Sequence, residues 1–245
     1  MNLYRDSWFT FRFGEDRLIP RFHLEGVAFG SPISVVKIDP HTGQRLGLLT
    51  TATVGDGGWV DLPQPLIVKA GEAFISMPIL IRAEHEEDFE AVRTVNLRAF
   101  GQDGESRLID SLRAGGFAPV SLVAGIGAQV VGHILFSKLE IITGADTVTA
   151  LALAPLAVLP EFQRLAIGSA LVRRGLEICK DHGHRIVVVL GHPDFYPRFG
   201  FSAKLAESLQ SPFGGGPSFM VAELTPGAMA GVVGRVEYAP PFGDL

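Results

Sequence analysis

The sequence predicts an α+β fold in which a small all-β domain, residues 1–78, precedes a larger part, residues 79–245, with a mixed sheet flanked by helices. Three observations support this prediction. Short β-rich runs separated by turn clusters fill the first part, without a helical period of useful length. Two amphipathic runs of helical period follow it. A nearly all-apolar strand, a loop of small residues, an amphipathic helix and another strand then succeed one another.

The first 78 residues predict a small sandwich or barrel-like β domain. The run WFTFRFG alternates, and the runs RFHLEG, ISVVKI, RLGLLTTATV, WVDL and PLIVKA are separated by DPHTGQ, GDGG and KAGEA. Its aromatic residues are expected to form a core rather than a binding platform: Trp8, Phe9, Phe11, Phe13 and Phe22. The domain could bind a ligand, cover an acceptor site or build a dimer. We predict that it restricts substrate access.

The second part predicts strands and helices in the order β-α-α-β-β-β-α-β-α-β. PILIRA is a strand, and EHEEDFEAVRTVNLRAF is a helix with a stripe of Phe89, Val92, Val95 and Ala99 and an acidic first turn. ESRLIDSLRAGG is a helix that stops at glycine, and a hairpin turns at 125–129. TVTALALAPLAVLP is a buried strand, followed by a helix over 163–182 and the strand IVVVLG. A short helix near DFYPRFGF, capped by Asp194, and a last strand in SFMVAEL complete the prediction.

The composition excludes several classes of function. Hydrophobic residues make up 47% of the 245 residues, charged residues 19%, and the net charge is −5 without a long basic run, so no nucleic-acid partner is expected. The single cysteine, Cys179, precludes an intrachain disulfide and fits a reducing compartment. The N-terminal residues contain no apolar leader, and no apolar run is long enough to span a membrane. We therefore expect a cytoplasmic protein without a membrane partner; a homodimer is left open.

The segment QRLAIGS, residues 163–169, lies between the buried strand and the long amphipathic helix. A helix N-terminus exposes unpaired N–H groups and carries a partial positive charge, and small residues let a phosphate approach them closely. Gln163 and Arg164 add polar and cationic reach, Gly168 leaves room, and Ser169 adds a hydroxyl. The P-loop and dinucleotide-binding patterns are both absent. The segment therefore predicts an anion site of another kind.

The stretch from Gln163 to Gly168 resembles the acyl-coenzyme A motif [QR]xxGx[GA] of the GCN5-related N-acetyltransferases, the GNAT superfamily. Its departure is Ala166, where the family usually has glycine. If this position needs a positive φ, alanine costs roughly 1–2 kcal/mol. A second match is GHPDFYPRFGF, residues 191–201, in which Tyr196 stands where the family has a tyrosine that faces the cofactor sulfur. Together with SFMVAEL, it is most similar to the YhbS-like subgroup, and the resemblance covers residues 79–238.

The resemblance implies a GNAT acyl-CoA N-acyltransferase fold with a splayed central sheet and acetyl-CoA as co-substrate. It also implies an N-acetyltransferase that moves an acetyl group to a primary amine by direct attack in a ternary complex. Tyr196 would be the general acid. The expected cofactor-binding residues are Ala157, Val158, Gln163, Arg164, Leu165, Ala166, Ile167, Gly168 and Ser169. The pantetheine arm would form hydrogen bonds with the backbone near Ala157 and Val158. The pyrophosphate would bind the backbone N–H groups of residues 164–169, and the N–H of Val158 would stabilise the oxyanion.

The general base stays unassigned, because the fourth strand of the expected fold carries no carboxylate. The candidates are Glu140, Asp146, Glu161, His133 and His192, and a water chain would need none of them. His133 is expected to be a packed residue rather than a base. No metal site is expected, since the sequence lacks HxH, HExxH and CxxC spacings. A second class of function is a non-catalytic module that senses acyl-CoA, which Ala166 and the missing carboxylate favour and Tyr196 disfavours.

Overall fold

The fold is described from a computed structural model. It describes residues 9–12, 14–24, 30–39, 41–42, 45–144 and 146–244. Trp8 and Phe13 lie outside the described residues, as do the side chains of Phe9 and Phe11. Within the described part, no helix is long and apolar enough to cross a membrane.

Two antiparallel sheets form from residues before position 79. The four-stranded sheet has the order β1-β6-β3-β4, and β2 pairs with β5 in a second sheet. The bounds are β1 Phe9–Arg12, β2 Arg17–His23, β3 Pro32–Ile38, β4 Arg45–Thr53, β5 Trp59–Val68 and β6 Ala73–Pro78. Between them is a buried cluster that includes Phe22, Leu24, Val35 and Val60. Phe22 is thus a core residue, as predicted.

The four-stranded sheet also buries its other face. Val36, Ile75 and Met77 on β3 and β6 belong to one hydrophobic cluster with Leu122 and Leu171 of the second part. Side chains of a strand alternate between its two faces, so a sheet with two covered faces carries apolar residues on both. The two parts of the chain therefore share a continuous core.

The second part contains an eight-stranded mixed sheet. Its main path has the order β12-β14-β9-β10-β11-β13, and β8 pairs with β9 and with β7 at the end of the sheet. The bounds are β7 Leu80–Ala83, β8 Val120–Ile126, β9 Gln129–Thr143, β10 Thr147–Val158, β11 Ile186–Leu190, β12 Leu209–Gln210, β13 Phe219–Glu223 and β14 Gly234–Tyr238.

Helices cover both faces of this sheet. They are α1 Phe89–Phe100, α2 Gly104–Ala114, α3 Ile167–Asp181 and the single turn α4 Ala203–Ala206. A Cβ on Gly132 of β9 would meet Leu171 of α3 at 3.1 Å, whereas His133, the next residue, lies beside Asn96 of α1. Because neighbouring residues of a strand point to opposite faces, α1 and α3 lie on opposite faces. The α+β fold with a mixed sheet and helices is confirmed.

The strands β10 and β11 separate towards their carboxyl ends. They pair in parallel only at Leu151–Val187 and Ala152–Val188. β10 then bulges between Leu153 and Leu156 in its pairing with β9. The last residues of β10 therefore have no strand on the β11 side, and a gap opens where α3 begins.

Several elements differ from those expected. WVDL and PLIVKA form one strand, β5, although its pairing with β2 is interrupted between Asp61 and Leu66, where Pro63 and Pro65 lie. The segment 73–78 is a strand that the expected runs did not include, and α1 begins at Phe89 after a 3₁₀ turn, Glu86–Asp88. The helix expected over 163–182 begins only at Ile167, because the loop with Arg164 and Ala166 in the left-handed region precedes it. Asp194 does not cap the short helix, because Phe195 precedes the 3₁₀ turn Tyr196–Phe199. β13 is not the last strand: β14 pairs with β9 beyond it.

Candidate active site

A cleft of about 790 Å³ lies where β10 and β11 separate, between the N-terminus of α3 and the segment after β11. It is lined by Leu48, Leu156, Val158, Phe162, Gln163, Arg164, Ala166, Ile167, Gly168, Ser169, His192, Asp194, Phe195, Tyr196 and Arg198. Eight of the ten residues expected at the site are among them. The other two, Ala157 and Leu165, are buried and do not line the cleft.

The backbone angle φ alternates in sign along the loop before α3. Arg164 has φ +58° and Ala166 has φ +61°, both in the left-handed region, and Leu165 between them has a negative φ. Within the described chain, no backbone hydrogen bond uses the amide N–H of residues 164–169. Successive N–H groups in such alternating conformations form a concave anion-binding nest. The helix N-terminus adds its partial positive charge to the same place.

The space around Gly168 indicates whether this loop has room for a bulky anion. A Cβ built on it would lie 3.8 Å from its nearest neighbours, the side chains of Leu156, Val158 and Phe195. These are ordinary van der Waals distances, so the fold itself does not require glycine here. A side chain would instead project into the cleft over the free amides. The loop therefore fits a diphosphate better than it would with any larger residue at this position.

The backbone of Val158 points into the gap. The N–H of Leu159 donates to the carbonyl oxygen of Val131 on β9 at 2.9 Å. Since backbone groups of successive strand residues point to opposite edges, the N–H and C=O of Val158 point away from β9. Its carbonyl oxygen accepts from Nε2 of Gln163 at 3.0 Å. Ala157 pairs with His133 on the β9 side instead, so only Val158 of the two offers a backbone donor to the cleft.

Tyr196 lies at the opposite wall. Its ring packs edge-on against Phe195 and Phe201, with centroids 5.0 and 5.5 Å apart. It is 7% exposed, and burial raises the pKa of its hydroxyl to about 12. Among the described residues no hydrogen bond to that hydroxyl is found, and Tyr196 is one of the residues that line the cleft. A phenol that stays protonated at neutral pH and faces a cleft can donate a proton there.

The five candidate bases are widely separated. Glu140 on β9 and Asp146 in the turn after it are exposed and lie away from the cleft. Glu161 forms an ion pair with Arg98 at 3.0 Å. His133 is completely buried, which leaves His192 as the one candidate that lines the cleft. In the described part of the chain, no three metal-ligating side chains gather into a site for an ion.

His133 belongs to a buried polar network on the α1 side of the sheet. Asn96 Nδ2 approaches its Nδ1 at 3.3 Å, and its Nε2 lies 3.0 Å from Ser121 Oγ. Ser121 in turn donates to Glu84 at 2.6 Å, and Arg113 is paired with the same carboxylate. Burial first, and the positive charge of Arg113 second, lower the pKa of His133 to about 3. The ring is thus a neutral, structural hydrogen-bonding group.

Sequence patterns did not indicate some cleft residues. Phe195 and Arg198 lie on either side of Tyr196 and Pro197, and the guanidinium of Arg198 is 4.6 Å from the centroid of the Phe195 ring. Leu48 comes from β4 of the first part, 108 or more positions before the other lining residues, and has no sequence signal at all. A larger hollow, about 940 Å³, lies between β3, β4 and the outer face of α3. It does not include Tyr196 or the free end of β10, so the smaller cleft is the candidate site.

Comparison with known proteins identifies similar chains. The acetyltransferase (GNAT) family model matches residues 81–201, which include every cleft residue except Leu48. The uncharacterised N-acetyltransferase YhbS of Escherichia coli (strain K12) is 35% identical over 166 residues, 67% of this chain and 98% of that protein.

Two solved structures share the fold. The GNAT family N-acetyltransferase YhbS from Escherichia coli, in complex with CoA, has 34% identity and a TM-score of 0.63, over 68% of this chain and 93% of that one. A GNAT family acetyltransferase from Brucella melitensis, in complex with acetyl-CoA, has 32% identity and a TM-score of 0.57, over 67% of this chain and 97% of that one. These two structures thus hold CoA and acetyl-CoA, respectively.

Proposed function

The chain belongs to the GNAT family of acetyltransferases, and on that premise we propose that it transfers the acetyl group of acetyl-CoA directly to a primary amine within a ternary complex. It is an N-acetyltransferase with acetyl-CoA as co-substrate. The observation that carries the proposal is the run of backbone N–H groups at 164–169 without a backbone partner, in a loop that lines the same cleft as Tyr196.

The proposed cofactor contacts divide between two elements. The 164–169 amides and the side chain of Arg164 hold the diphosphate, because they combine free N–H donors with positive charge. The end of β10 binds the pantetheine arm through backbone groups that have no strand partner, as an added strand would. The carbonyl oxygen of Val158 provides such a contact, since its N–H is assigned to the oxygen of the acetyl group. Ala157, which pairs with β9, and Leu165, whose side chain is buried, shape the site without lining it.

The proposed transfer step uses few side chains. The amine nitrogen forms a bond to the acetyl carbon, and the bond between that carbon and sulfur breaks. The N–H of Val158 stabilises the negative charge that develops on the carbonyl oxygen. Tyr196 donates its proton to the leaving thiolate and regains one from solvent, while the amine loses one proton to a base.

We propose His192 or a water beside it as the acceptor of that proton, because it is the candidate base that lines the cleft. His192→Gln keeps a hydrogen-bonding side chain but cannot take up a proton at neutral pH. It is expected to lower kcat by roughly 10²-fold if the histidine acts directly. An unchanged pH–rate profile and kcat in this variant would assign the step to water alone.

We also propose that residues 1–78 and 79–245 are two domains in a cytoplasmic protein, and that the first restricts access to the cleft. Leu48 of β4 supports this role, because it lies at the cleft wall. The lone cysteine, Cys179, is buried and supports a reducing compartment.

The test is calorimetric titration with acetyl-CoA and with CoA. Arg164→Glu places a negative charge beside the free amides and is expected to weaken binding by about tenfold or more, equivalent to about 1.4 kcal/mol. The matched control is Arg174→Glu, a charge reversal on an exposed turn of α3 outside the cleft, and it should bind as wild type does. Equal affinity for both variants would contradict the assignment of the loop.

An alternative is a sensor that binds acyl-CoA without turnover. The left-handed Ala166 favours it, because this strained position usually carries glycine in the family. Tight binding of acetyl-CoA by wild type, with no thiol release across a panel of primary amines, would support the sensor.

A further inference from the structure

The four-stranded N-terminal sheet directly contacts the segment before α3, residues 161–166, which is called the cofactor loop below. The hydroxyl of Ser34 on β3 donates to the carbonyl oxygen of Leu165 at 2.5 Å. Arg45 on β4 donates from Nη1 to the carbonyl oxygen of Glu161 at 2.9 Å, and its guanidinium lies 4.1 Å over the ring of Phe162. Neither Ser34 nor Arg45 lies within residues 81–201, the part matched by the family model. These contacts therefore belong to this chain's own first part.

The bond from Ser34 fixes the direction of one peptide plane. In a trans peptide the carbonyl of one residue and the N–H of the next point in opposite directions. The carbonyl of Leu165 points to β3, so the N–H of Ala166 points the other way, towards the cleft. That N–H is one of the free donors of the loop.

The same bond acts on a strained stretch of backbone. Leu165 stands between Arg164 and Ala166, two non-glycine residues in the left-handed region. Such conformations persist only where the surrounding structure holds them. Ser34 is completely buried, so water does not compete for its hydroxyl, and a buried hydrogen bond is costly to leave unmade.

Glu161 is held from two sides, at the start of the cofactor loop. Its carbonyl accepts from Arg45 of the first part, and its carboxylate forms a bidentate pair with Arg98 of α1 at 3.0 and 3.1 Å. The segment 161–165 is therefore fixed at both ends by groups that do not themselves line the cleft.

We propose that Ser34 is a positioning residue for acetyl transfer, which orients the peptide between Leu165 and Ala166 so that its N–H faces the diphosphate of acyl-CoA. Arg45 supports the same loop one turn earlier. The N-terminal β domain is thus part of the cofactor site as well as a neighbour of the cleft. This inference rests on the proposed function of the loop.

The test compares two buried serines of one sheet. Ser34→Ala removes the donor, whereas Ser76→Ala, on the adjacent strand β6, removes an equally buried hydroxyl that has no partner in the described structure. CoA is titrated calorimetrically into wild type and both variants. Loss of one neutral hydrogen bond should weaken CoA binding by about fivefold in Ser34→Ala, and Ser76→Ala should match wild type.

A spectroscopic readout separates positioning from general stability. In protein labelled with ¹⁵N-alanine, the amide signal of Ala166 can be assigned by its loss in Ala166→Gly. CoA should shift this signal strongly in wild type and in Ser76→Ala, and less in Ser34→Ala. Arg45→Gln, a change at a partly exposed strand residue, should weaken CoA binding in the same direction by about twofold.

The outcomes are distinct. Weaker CoA binding and a smaller Ala166 shift in Ser34→Ala, but not in Ser76→Ala, would support the inference. Equal CoA affinity in wild type, Ser34→Ala and Ser76→Ala would overturn it and leave the proposed function intact. Absence of CoA binding by wild type would overturn both.

Discussion

The ring of Tyr196 lies directly against the backbone of Gly191. A Cβ built on Gly191 would be 2.2 Å from Cε2 of the tyrosine and 2.8 Å from Cδ2. The ring is itself held by Phe195 and Phe201, so it cannot move aside without disturbing two further aromatic residues. Glycine at 191 thus sets the position of the proposed acid.

Gly191→Ala should therefore destabilise the protein and displace Tyr196. Overpacking of this kind costs roughly 1–3 kcal/mol in the free energy of unfolding. The backbone of Gly191 is not in the left-handed region, so the effect reports the clash alone. Urea unfolding should show that the same substitution costs much less in a Tyr196→Leu background. If Gly191→Ala lowered the free energy of unfolding equally in wild type and in Tyr196→Leu, a clash with the Tyr196 ring would not be the cause.

Tyr196→Phe should retain CoA binding within about twofold and lower kcat by roughly 10²-fold, because only the proton donor is lost. The raised pKa of about 12 keeps the wild-type hydroxyl protonated throughout the working range. Ionisation of Tyr196 should therefore cause no loss of kcat up to about pH 10. A variant with wild-type kcat would reassign the tyrosine to packing.

Gly168→Ala should separate folding from cofactor binding. Its Cβ meets no atom closer than 3.8 Å, and alanine is favoured over glycine in a helix, so the free energy of unfolding should stay the same or rise by up to about 1 kcal/mol. The methyl group nevertheless occupies the space over the free amides. CoA affinity measured by calorimetry should fall by about tenfold, or about 1.4 kcal/mol. Unchanged affinity would show that the diphosphate lies elsewhere.

Ala166→Gly should stabilise the protein, because glycine adopts the left-handed region without a steric cost. The expected gain in unfolding free energy is about 0.5–1 kcal/mol after the greater freedom of glycine in the unfolded chain is subtracted. Ala170→Gly, one turn into α3, is the matched control and should lose about 1 kcal/mol. If thermal or urea unfolding showed that Ala166→Gly and Ala170→Gly change the free energy of unfolding in the same direction, the left-handed conformation of Ala166 would be contradicted.

The buried His133 should make stability depend on pH. Its folded pKa of about 3 lies below the unfolded value of 6.5, so its contribution is complete above about pH 6.5 and is lost as the pH falls towards 3. The loss is about 1.4 kcal/mol for each pH unit. In urea unfolding between pH 6.5 and 5, wild type should lose stability more steeply than His133→Gln by that slope. Parallel curves would mean that the ring is already charged in the folded state.

The sequence alone determined the α+β class and the strand–loop–helix–strand order. These features depend on local information: the spacing of apolar residues, small residues before a helix and turn-forming pairs are all recognised within about twenty positions. The acyl-CoA motif at 163–168 and the role of Tyr196 were predicted from the resemblance to a known family. The same local patterns did not reveal β14, which pairs with β9 some ninety positions earlier in the chain.

Only the tertiary structure decided how these residues act together. The sign of φ at Ala166, the outward direction of the Val158 backbone and the position of His192 at the cleft follow from pairing and packing around the cleft. Ser34 and Leu165 are 131 positions apart, and nothing in either segment indicates the other. Their contact exists because apolar residues on both faces of β3 and β6 draw the first sheet onto the second part, and burial of that shared core brings the serine to the cofactor loop.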